Sequence, residues 1–170
     1  RYAEAIVSYL SVLQLEPTNS VALRQLGLSY YSSGDLGRAF PLLRQAVDKE
    51  PERTDLKVKL ARLYLIGGSP DEARWLTEQV LEQESGNLEA LVIMADASLT
   101  PDLVEEGLAT LAAIKEMHAA EPRYHLAVGA LNLRKGDFGL AEEALAESIR
   151  LAPNTPDAYI ARGELYNLQG

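Results

Sequence analysis

The sequence contains no cysteine, which excludes a disulfide framework, a thiolate zinc site and a cysteine nucleophile. Its two histidines leave little material for metal binding or acid–base catalysis. No apolar run approaches the roughly 18 residues that a membrane-spanning helix requires, so we expect no membrane insertion. The 8 prolines and 12 glycines are too few for a low-complexity or collagen-like chain. With 47% hydrophobic and 24% charged residues, the composition is that of a globular protein.

Positive charge is also scarce, because the chain has 16 basic and 25 acidic residues and a net charge of −9. Such a balance repels the phosphates of nucleic acids and anionic membrane surfaces, so we expect no nucleic-acid partner. The chain begins with Arg1 rather than with methionine and has no signal-peptide pattern. We therefore expect it to be part of a longer protein.

Small residues recur at intervals of 34, and 170 residues make five such intervals. The two clearest columns hold Ala5, Ala39, Ala73, Gly107 and Ala141, and Gly27, Ala61, Ala95, Gly129 and Gly163. A side chain larger than a methyl group would force two closely crossing helices apart. We therefore expect the closest helix crossings at the positions of the second column.

Each repeat predicts two helices joined by a short turn. Apolar and small residues fall at i, i+3, i+4 and i+7 in both halves of the repeat, which is the spacing of one helix face. In Gly34-Asp35 and Gly136-Asp137, the glycine can end one helix in the left-handed conformation and the aspartate can cap the next. No stretch keeps the two-residue alternation of a strand, so we expect an all-α chain.

These residues resemble the tetratricopeptide repeat, a 34-residue helix–turn–helix unit. The pattern is fullest in Leu23, Leu26, Gly27, Tyr30, Ala39, Leu43, Ala46 and Pro51. The resemblance implies a right-handed α-solenoid of antiparallel helix hairpins that binds peptides or helices of partner proteins in a concave groove, as a scaffold without catalytic activity. It divides the single array into a trailing half-repeat (1–19), full repeats (20–53, 54–87, 88–121 and 122–155) and a leading half-repeat (156–170).

The third full repeat departs furthest from the pattern. Thr100-Pro101 should end its first helix early, and Asp102 stands in the column that holds Gly34, Gly68, Gly136 and Gly170. We expect locally altered curvature in this region.

Family geometry assigns certain positions of the first helices to the groove. These positions are Arg24, Gln25, Leu28 and Tyr31; Val58, Lys59, Arg62 and Leu65; Val92, Ile93, Asp96 and Leu99; and Leu126, Ala127, Ala130 and Leu133. The clamp of lysine, asparagine and arginine with which some family members hold a C-terminal carboxylate is missing. The strip is largely apolar, with Arg24, Lys59 and Arg62 toward its N-terminal half. We expect a ligand with apolar anchors and an acidic residue, although part of the strip could instead serve the core.

The candidates for catalysis are weak. His118 and His125 flank a repeat boundary, but no third metal ligand accompanies them, so we interpret them as packing or surface residues. The pairs Glu105-Glu106 and Glu142-Glu143 are neighbours on a helix and do not face each other, so we interpret them as solvated carboxylates. Neither a phosphate-binding loop nor a serine nucleophile elbow occurs. We expect neither an enzyme nor a cofactor.

The main functional prediction is a protein–protein interaction scaffold within a larger protein. The alternative is a structural or self-association segment, for example of a bacterial envelope or secretion apparatus, and a regulatory array fused to an enzyme is a third arrangement. Self-association would be head to tail, because apolar residues at the two ends lack terminal caps. The residues concerned are Tyr9, Val12 and Leu13 at one end, and Tyr159, Leu165 and Tyr166 at the other.

Overall fold

The computed structural model of the chain describes residues 2–170. Over these residues it contains helices and connecting turns but no strand, which confirms the all-α prediction. The helices are α1 (Tyr2–Leu15), α2 (Ser20–Ser32), α3 (Leu36–Lys49), α4 (Thr54–Ile66), α5 (Pro70–Gln83), α6 (Leu88–Ala97), α7 (Pro101–Ala113), α8 (Lys115–His118), α9 (Pro122–Lys135), α10 (Phe138–Leu151) and α11 (Pro156–Gln169).

The first helices of successive pairs begin 34 residues apart. Their first residues are Ser20, Thr54, Leu88, Pro122 and Pro156. Gly34, Gly68 and Gly136 end helices at φ values of 82°, 77° and 86°, in the left-handed region where a Cβ would be strained. The sequence places glycine at these positions because the chain must reverse direction there.

Helix starts are capped by side chains in several pairs but not in all. Asn19 Oδ1 accepts from the Ala22 amide at 2.9 Å, and Asp35 Oδ1 accepts from the Arg38 amide at 3.2 Å, as predicted for Asp35. The corresponding expectation for Asp137 is wrong. Its carboxylate lies 3.3 Å from Lys135 Nζ and makes no capping bond to α10, because the lysine in the last turn of α9 attracts it.

The chain forms two compact units, unit 1 (Arg1–Ser69) and unit 2 (Pro70–Gly170). The boundary between them lies between α4 and α5, inside the predicted second full repeat.

Unit 1 contains the hairpin of α2 and α3. An added Cβ at Gly27 would lie 3.1 Å from Leu42 Cβ and 3.3 Å from the side chain of Leu43, so a larger residue would push the two helices apart. Ala39 and Leu43 on the facing side of α3 have no exposed surface. The predicted small-residue crossing is therefore present in this hairpin.

Unit 2 contains the same crossing between α9 and α10. An added Cβ at Gly129 would lie only 2.7 Å from Leu145, whose side chain is fully buried with Leu133, Ala141 and Leu165. The prediction fails at Gly163 in α11, where an added Cβ would meet nothing within 4 Å. Within residues 2–170 no second helix crosses α11 at that residue.

The third repeat is altered in the manner that Thr100-Pro101 predicts. The helix α6 ends at Ala97 after ten residues, and α7 begins at Pro101, three residues ahead of the 34-residue register of the other second helices. As a result α7 packs more extensively against α9 than against α6. A core of apolar side chains from all three helices, including Leu91, Leu111 and Leu131, holds them together.

Candidate functional site

The predicted strip in unit 1 lies on α2 and α4. Leu28, Tyr31 and Leu65 are half-buried, as are the cations Lys59 and Arg62. Val58 and Gln25 complete the set on these helices. Val58 is buried at 3% exposure, whereas Gln25 is half-buried. Within unit 1, α4 packs chiefly against α3 rather than against α2.

Arg24 has an ion-pair partner that lies far from it in the sequence. Its Nη1 donates to Glu50 Oε2, and Glu50 also lies 3.9 Å from Arg53 Nη1. The Arg24 side chain is 15% exposed, which is low for a charged group. Glu50 therefore compensates the charge of Arg24, while the other two cations of this strip, Lys59 and Arg62, are half-buried on α4.

In unit 2 the predicted strip positions lie on or next to α6 and on α9, and these two helices pack directly against each other. Ile93 is fully buried and Leu133 is 9% exposed, so both belong to the core and offer almost no surface to a ligand. Val92 and Leu126 are half-buried against core clusters. Leu133 is buried because it packs against Ala141 and Leu145 of α10 and Leu165 of α11.

Two of the remaining groove positions in unit 2 keep an accessible surface. Leu99 follows the shortened α6 and is 66% exposed, while Ala130 is half-buried. The neighbouring Ala127 is buried. Asp96 lies 3.9 Å from Arg134 Nη2, and Arg134 Nη1 donates to the Ala95 carbonyl at 2.8 Å.

The two histidines have structural partners. His118 is buried, and its Nδ1 and Nε2 lie 2.9 Å from Glu121 Oε1 and from the Gly86 carbonyl. His125 Nε2 lies 2.8 Å from the Ala119 carbonyl. Residues 2–170 contain no group of three or more metal-ligating side chains placed to hold an ion.

Three of the four paired glutamates form ion pairs between helices. Glu105 lies 3.0 Å from Lys135 Nζ, and Glu106 lies 2.9 Å from Arg74 Nη2. The hydrogen bonds that Lys135 donates to Glu105 and, to a smaller extent, to Asp137 raise the pKa of Lys135.

On α10, Glu142 accepts from Arg162 Nε at 3.0 Å and from the Tyr166 hydroxyl at 3.2 Å. The bond from Arg162 lowers the pKa of Glu142 against the opposing effect of burial. These carboxylates fasten neighbouring helices together and do not form a catalytic pair.

Unit 2 also contains a groove that no sequence pattern indicated, which we call the α7/α10 groove. Its walls are α7 and α10, its floor is α9, and its volume is about 650 Å³. Tyr124 lies in the floor and its hydroxyl donates to the Leu111 carbonyl at 3.1 Å, while burial raises the pKa of Tyr124. The early helix break at Thr100-Pro101 was the available signal, since it displaces α7 from the regular register.

The end residues only partly match the prediction of open apolar seams. Tyr159 and Tyr166 are 48% and 50% exposed on α11, and Val12 is 37% exposed on α1. Tyr9 and Leu13 are half-buried. The expectation for Leu165 is wrong: it is fully buried, because α11 packs it against α9 and α10.

Consecutive helix hairpins with a small residue at the close crossings define a helical-repeat protein. Two family models, both described as tetratricopeptide repeat, match residues 30–76 and 126–170, which together make just over half of the chain. The chain belongs to the tetratricopeptide repeat family.

Solved structures share this fold. A tetratricopeptide repeat protein from Parabacteroides merdae is 20% identical, with a TM-score of 0.82 over 99% of this chain and 67% of that one. TTC0263 from Thermus thermophilus is 21% identical, with a TM-score of 0.77 over 89% of this chain and 83% of that one. YrrB, described as a TPR protein with an unusual peptide-binding site, is 20% identical, with a TM-score of 0.75 over 95% and 84%.

One curated relative is similar in sequence. The human protein O-mannosyl-transferase TMTC1 is 21% identical over 155 residues, which are 87% of this chain but 17% of that protein. The chain therefore spans about one sixth of the length of this relative. No helix within residues 2–170 is long and apolar enough to cross a membrane.

Proposed function

We propose that this chain is a protein-interaction module that binds a peptide or an amphipathic helix of a partner along its first helices, within a larger protein. The observation that carries the proposal is the partial exposure of Leu28, Tyr31, Lys59, Arg62 and Leu65 on α2 and α4 of unit 1. Apolar side chains beside two cations suit a ligand that combines apolar anchors with an acidic residue.

Family membership and the fold support this proposal. YrrB is described as having a peptide-binding site, and it shares the fold of this chain. In unit 2, taken by itself, Leu99 and Ala130 are the predicted positions with accessible surface, whereas Ile93 and Leu133 lie in its core. Each apolar anchor that a ligand desolvates would contribute about 1–3 kcal/mol.

The experiment selects peptides from a display library on the chain and measures synthetic versions of the winners by fluorescence anisotropy. The charge-reversed variant Lys59→Glu/Arg62→Glu should bind the selected peptides about tenfold more weakly at low salt, because it repels their acidic residue. This difference should shrink as salt screens the charges.

The matched control is Arg44→Glu/Lys49→Glu, which reverses two exposed cations on the second helix α3. It makes the same change in net charge away from the first helices and should leave binding nearly unchanged. If both double variants weaken binding equally, only net charge matters and the proposed site is wrong. Selected peptides without acidic residues would also contradict it.

Self-association is the second candidate, and the repeat register favours it. In α3 and α10, Leu43 and Leu145 are buried against Gly27 and Gly129 of their own first helices. In the 34-residue register, Tyr9 of α1 corresponds to Leu43 and Leu145. Gly163 of α11 corresponds to Gly27 and Gly129, but it has open space around it. Head-to-tail stacking of the 1–170 segment would place Tyr9 of one molecule against Gly163 of the next.

Sedimentation velocity over a concentration series tests the stacking. Gly163→Leu should remove any concentration-dependent association, whereas Gly37→Leu, at another glycine with open space around it, should not. A segment that stays monomeric up to about millimolar concentration, where weak contacts of this kind would be populated, contradicts the second candidate.

The segment is proposed to be non-catalytic in itself. Its histidines and its paired glutamates on α7 and α10 are engaged in hydrogen bonds and ion pairs with one exception, Glu143. The similarity to part of TMTC1 fits the third arrangement, in which a repeat array is one region of an enzyme.

A further inference from the structure

The face of α11 around Gly163 is largely apolar and uncovered. On a helix, the residues three and four places away from a position are its nearest surface neighbours. For Gly163 these residues are Tyr159, Ile160, Tyr166 and Asn167, none of which is charged, and all four are exposed. An exposed patch with three large apolar side chains is typical of an interaction surface.

The hairpin of α2 and α3 shows the same positions when they are covered. Leu23 and Tyr30 of α2 occupy the columns of Tyr159 and Tyr166, but they are only 6% and 7% exposed. The second helix α3 packs against α2 and brings the Arg38 guanidinium to 5.5 Å from the centre of the Tyr30 ring. Within residues 2–170 no such helix packs onto the face of α11. This face therefore lacks the second helix of its hairpin.

The backbone at the end of α11 has the conformation that precedes a second helix elsewhere. Gly170 has a φ of 85°, close to the 82° of Gly34 and the 86° of Gly136. After these two glycines, the second helices begin two residues later, at Leu36 and Phe138. The left-handed turn of a repeat hairpin is thus formed at Gly170.

The helix α1 has the register and the length of a second helix. It begins at Tyr2, which is 34 residues before Leu36 at the start of α3. Both helices contain 14 residues, as does α10. Within residues 2–170 no first helix precedes α1.

The side of α1 that would face a first helix is open. In α3, Ala39 and Leu43 have no exposed surface. Ala5 and Tyr9 occupy the same columns in α1 and are half-buried, and no residue of α1 is fully buried. Glu4 is the one charged residue in this helix. A helix so poor in charge is typical of one that is covered on several sides.

We propose that α1 of a second molecule covers the open face of α11, so that the two helices form a complete repeat hairpin. This hairpin specifies the contact of the self-association candidate and rests on that candidate. Because 170 is five times 34, a molecule placed after Gly170 continues the repeat register without a shift. Tyr9 then packs onto Gly163, as Leu43 packs onto Gly27 within one molecule. The contact continues the interface that α2 and α3 already form.

The charges at this contact are complementary. Glu4 of the second molecule takes the position that Arg38 has beside Tyr30 in the hairpin of α2 and α3. On α11 the cation is on the other helix, since the Arg162 guanidinium lies 5.5 Å from the centre of the Tyr166 ring. An acidic side chain of one molecule therefore approaches a cation of the other, which favours this pairing over a contact between like charges.

Engineered cysteines test the register directly, because the chain has none of its own. An added Cβ at Gly27 would lie 3.1 Å from Leu42 Cβ, and the corresponding pair between two molecules is Gly163 and Ser8. Under mild oxidation, a mixture of the single variants Ser8→Cys and Gly163→Cys should form a mixed disulfide dimer, because Cβ atoms within about 4.5 Å can be bridged. A non-reducing gel measures the yield, and mass spectrometry identifies the linked residues.

The matched control mixes Val7→Cys with Gly163→Cys. Val7 is adjacent to Ser8, but it corresponds to Pro41 and Glu143, which are exposed in the complete hairpins. The control should cross-link at least about tenfold less, because a Cβ that points away from its partner cannot be bridged. Equal yields from the two mixtures would overturn the proposed register.

The double variant Ser8→Cys/Gly163→Cys tests whether the molecules stack head to tail. It should give a ladder of dimers, trimers and longer species, since each molecule offers both halves of the hairpin. A product that stops at the dimer would indicate a reciprocal pair and would overturn the stack.

Sedimentation velocity of the wild type separates failure of this contact from failure of self-association itself. If the wild type associates but Ser8→Cys and Gly163→Cys give no mixed dimer, the proposed hairpin is wrong and the self-association candidate stands. If the wild type stays monomeric at the same concentration and no cross-link forms, both are wrong and the occupant of the α11 face is not a second copy.

Discussion

The hairpin of α9 and α10 and the pair of α6 and α7 occupy equivalent positions in successive repeats, yet they pack differently. In the first, Gly129 allows Leu145 to approach so closely that an added Cβ would lie 2.7 Å from it. In the second, α6 is shortened to ten residues and α7 turns its glycine, Gly107, toward Leu131 of α9. A small residue thus marks a close approach in both, but the partner helix has changed.

The turn between the two helices therefore determines which helix a small residue contacts. Gly136 makes the left-handed turn that folds α10 back onto α9. At the equivalent position, Asp102 lies inside α7, and Thr100 caps that helix with a 3.4 Å bond from the Leu103 amide. Without the left-handed turn, α7 packs much less against α6 than α10 packs against α9, and its contact with α9 becomes the larger one.

The largest expected effect tests the tight crossing directly. Gly129→Leu should lower the free energy of unfolding by about 3 kcal/mol, because the fully buried Leu145 cannot move aside without disturbing the core. Gly163→Leu is the matched control in the same column. It should raise stability by about 0.5–1 kcal/mol, since open space surrounds it and leucine favours a helix over glycine.

Urea denaturation followed by circular dichroism measures both variants. Equal effects at Gly129 and Gly163 would mean that the glycine column does not determine how closely α10 approaches α9.

A smaller effect concerns the ion pair that joins α10 to α11. The bond from Arg162 keeps the pKa of Glu142 below its usual value of 4.5, so this contact stabilises the fold above about pH 4.5 and is lost as the pH falls below it. Glu142→Gln should lower stability at neutral pH by less than about 1 kcal/mol, given that both side chains are about one third exposed.

The same variant should lose less stability than the wild type between about pH 5 and pH 3. Glu143→Gln is the control, since it removes the same charge from the adjacent residue without removing an ion pair. Urea titrations at several pH values measure the difference, and parallel pH profiles for Glu142→Gln and the wild type would contradict the assigned contact.

The smallest effect sharpens the comparison between the two glycines. Gly107→Ala should change stability by less than about 1 kcal/mol, because the new Cβ meets the terminal methyl group of Leu131 and the gain in helix propensity offsets the adjustment. Gly129→Ala should be clearly more destabilising, since its Cβ meets both Cγ and Cδ2 of Leu145. Thermal unfolding compares the pair, and a reversed order would show that α7 is packed more tightly than α10.

The fold was predictable because its signal is repeated. The left-handed glycines at positions 34, 68 and 136 and the buried columns around Leu43 and Leu145 follow the 34-residue spacing, and so the helix pairs could be located without coordinates. The early end of α6 was also predictable, since Thr100-Pro101 disfavours helix continuation.

The surface was less predictable because exposure depends on how neighbouring helices approach. Family positions alone do not reveal that Ile93 is fully buried, or that Glu50, 26 residues away from Arg24, compensates its charge. The α7/α10 groove was missed for a related reason. The sequence indicates that a helix breaks, but the direction in which the following helix moves depends on tertiary packing.

The contact between Gly107 and Leu131 also has a consequence for how unit 2 unfolds. Arrays of this kind lose structure one repeat at a time when each hairpin is secured mainly by itself. Here α7 packs more against α9 of the following hairpin than against α6. Unfolding of α7 would therefore expose Leu131, and unfolding of α9 would remove the main packing partner of α7. Amide protons of α7 should therefore exchange at rates that follow those of α9, so that two neighbouring repeats behave as a single cooperative element.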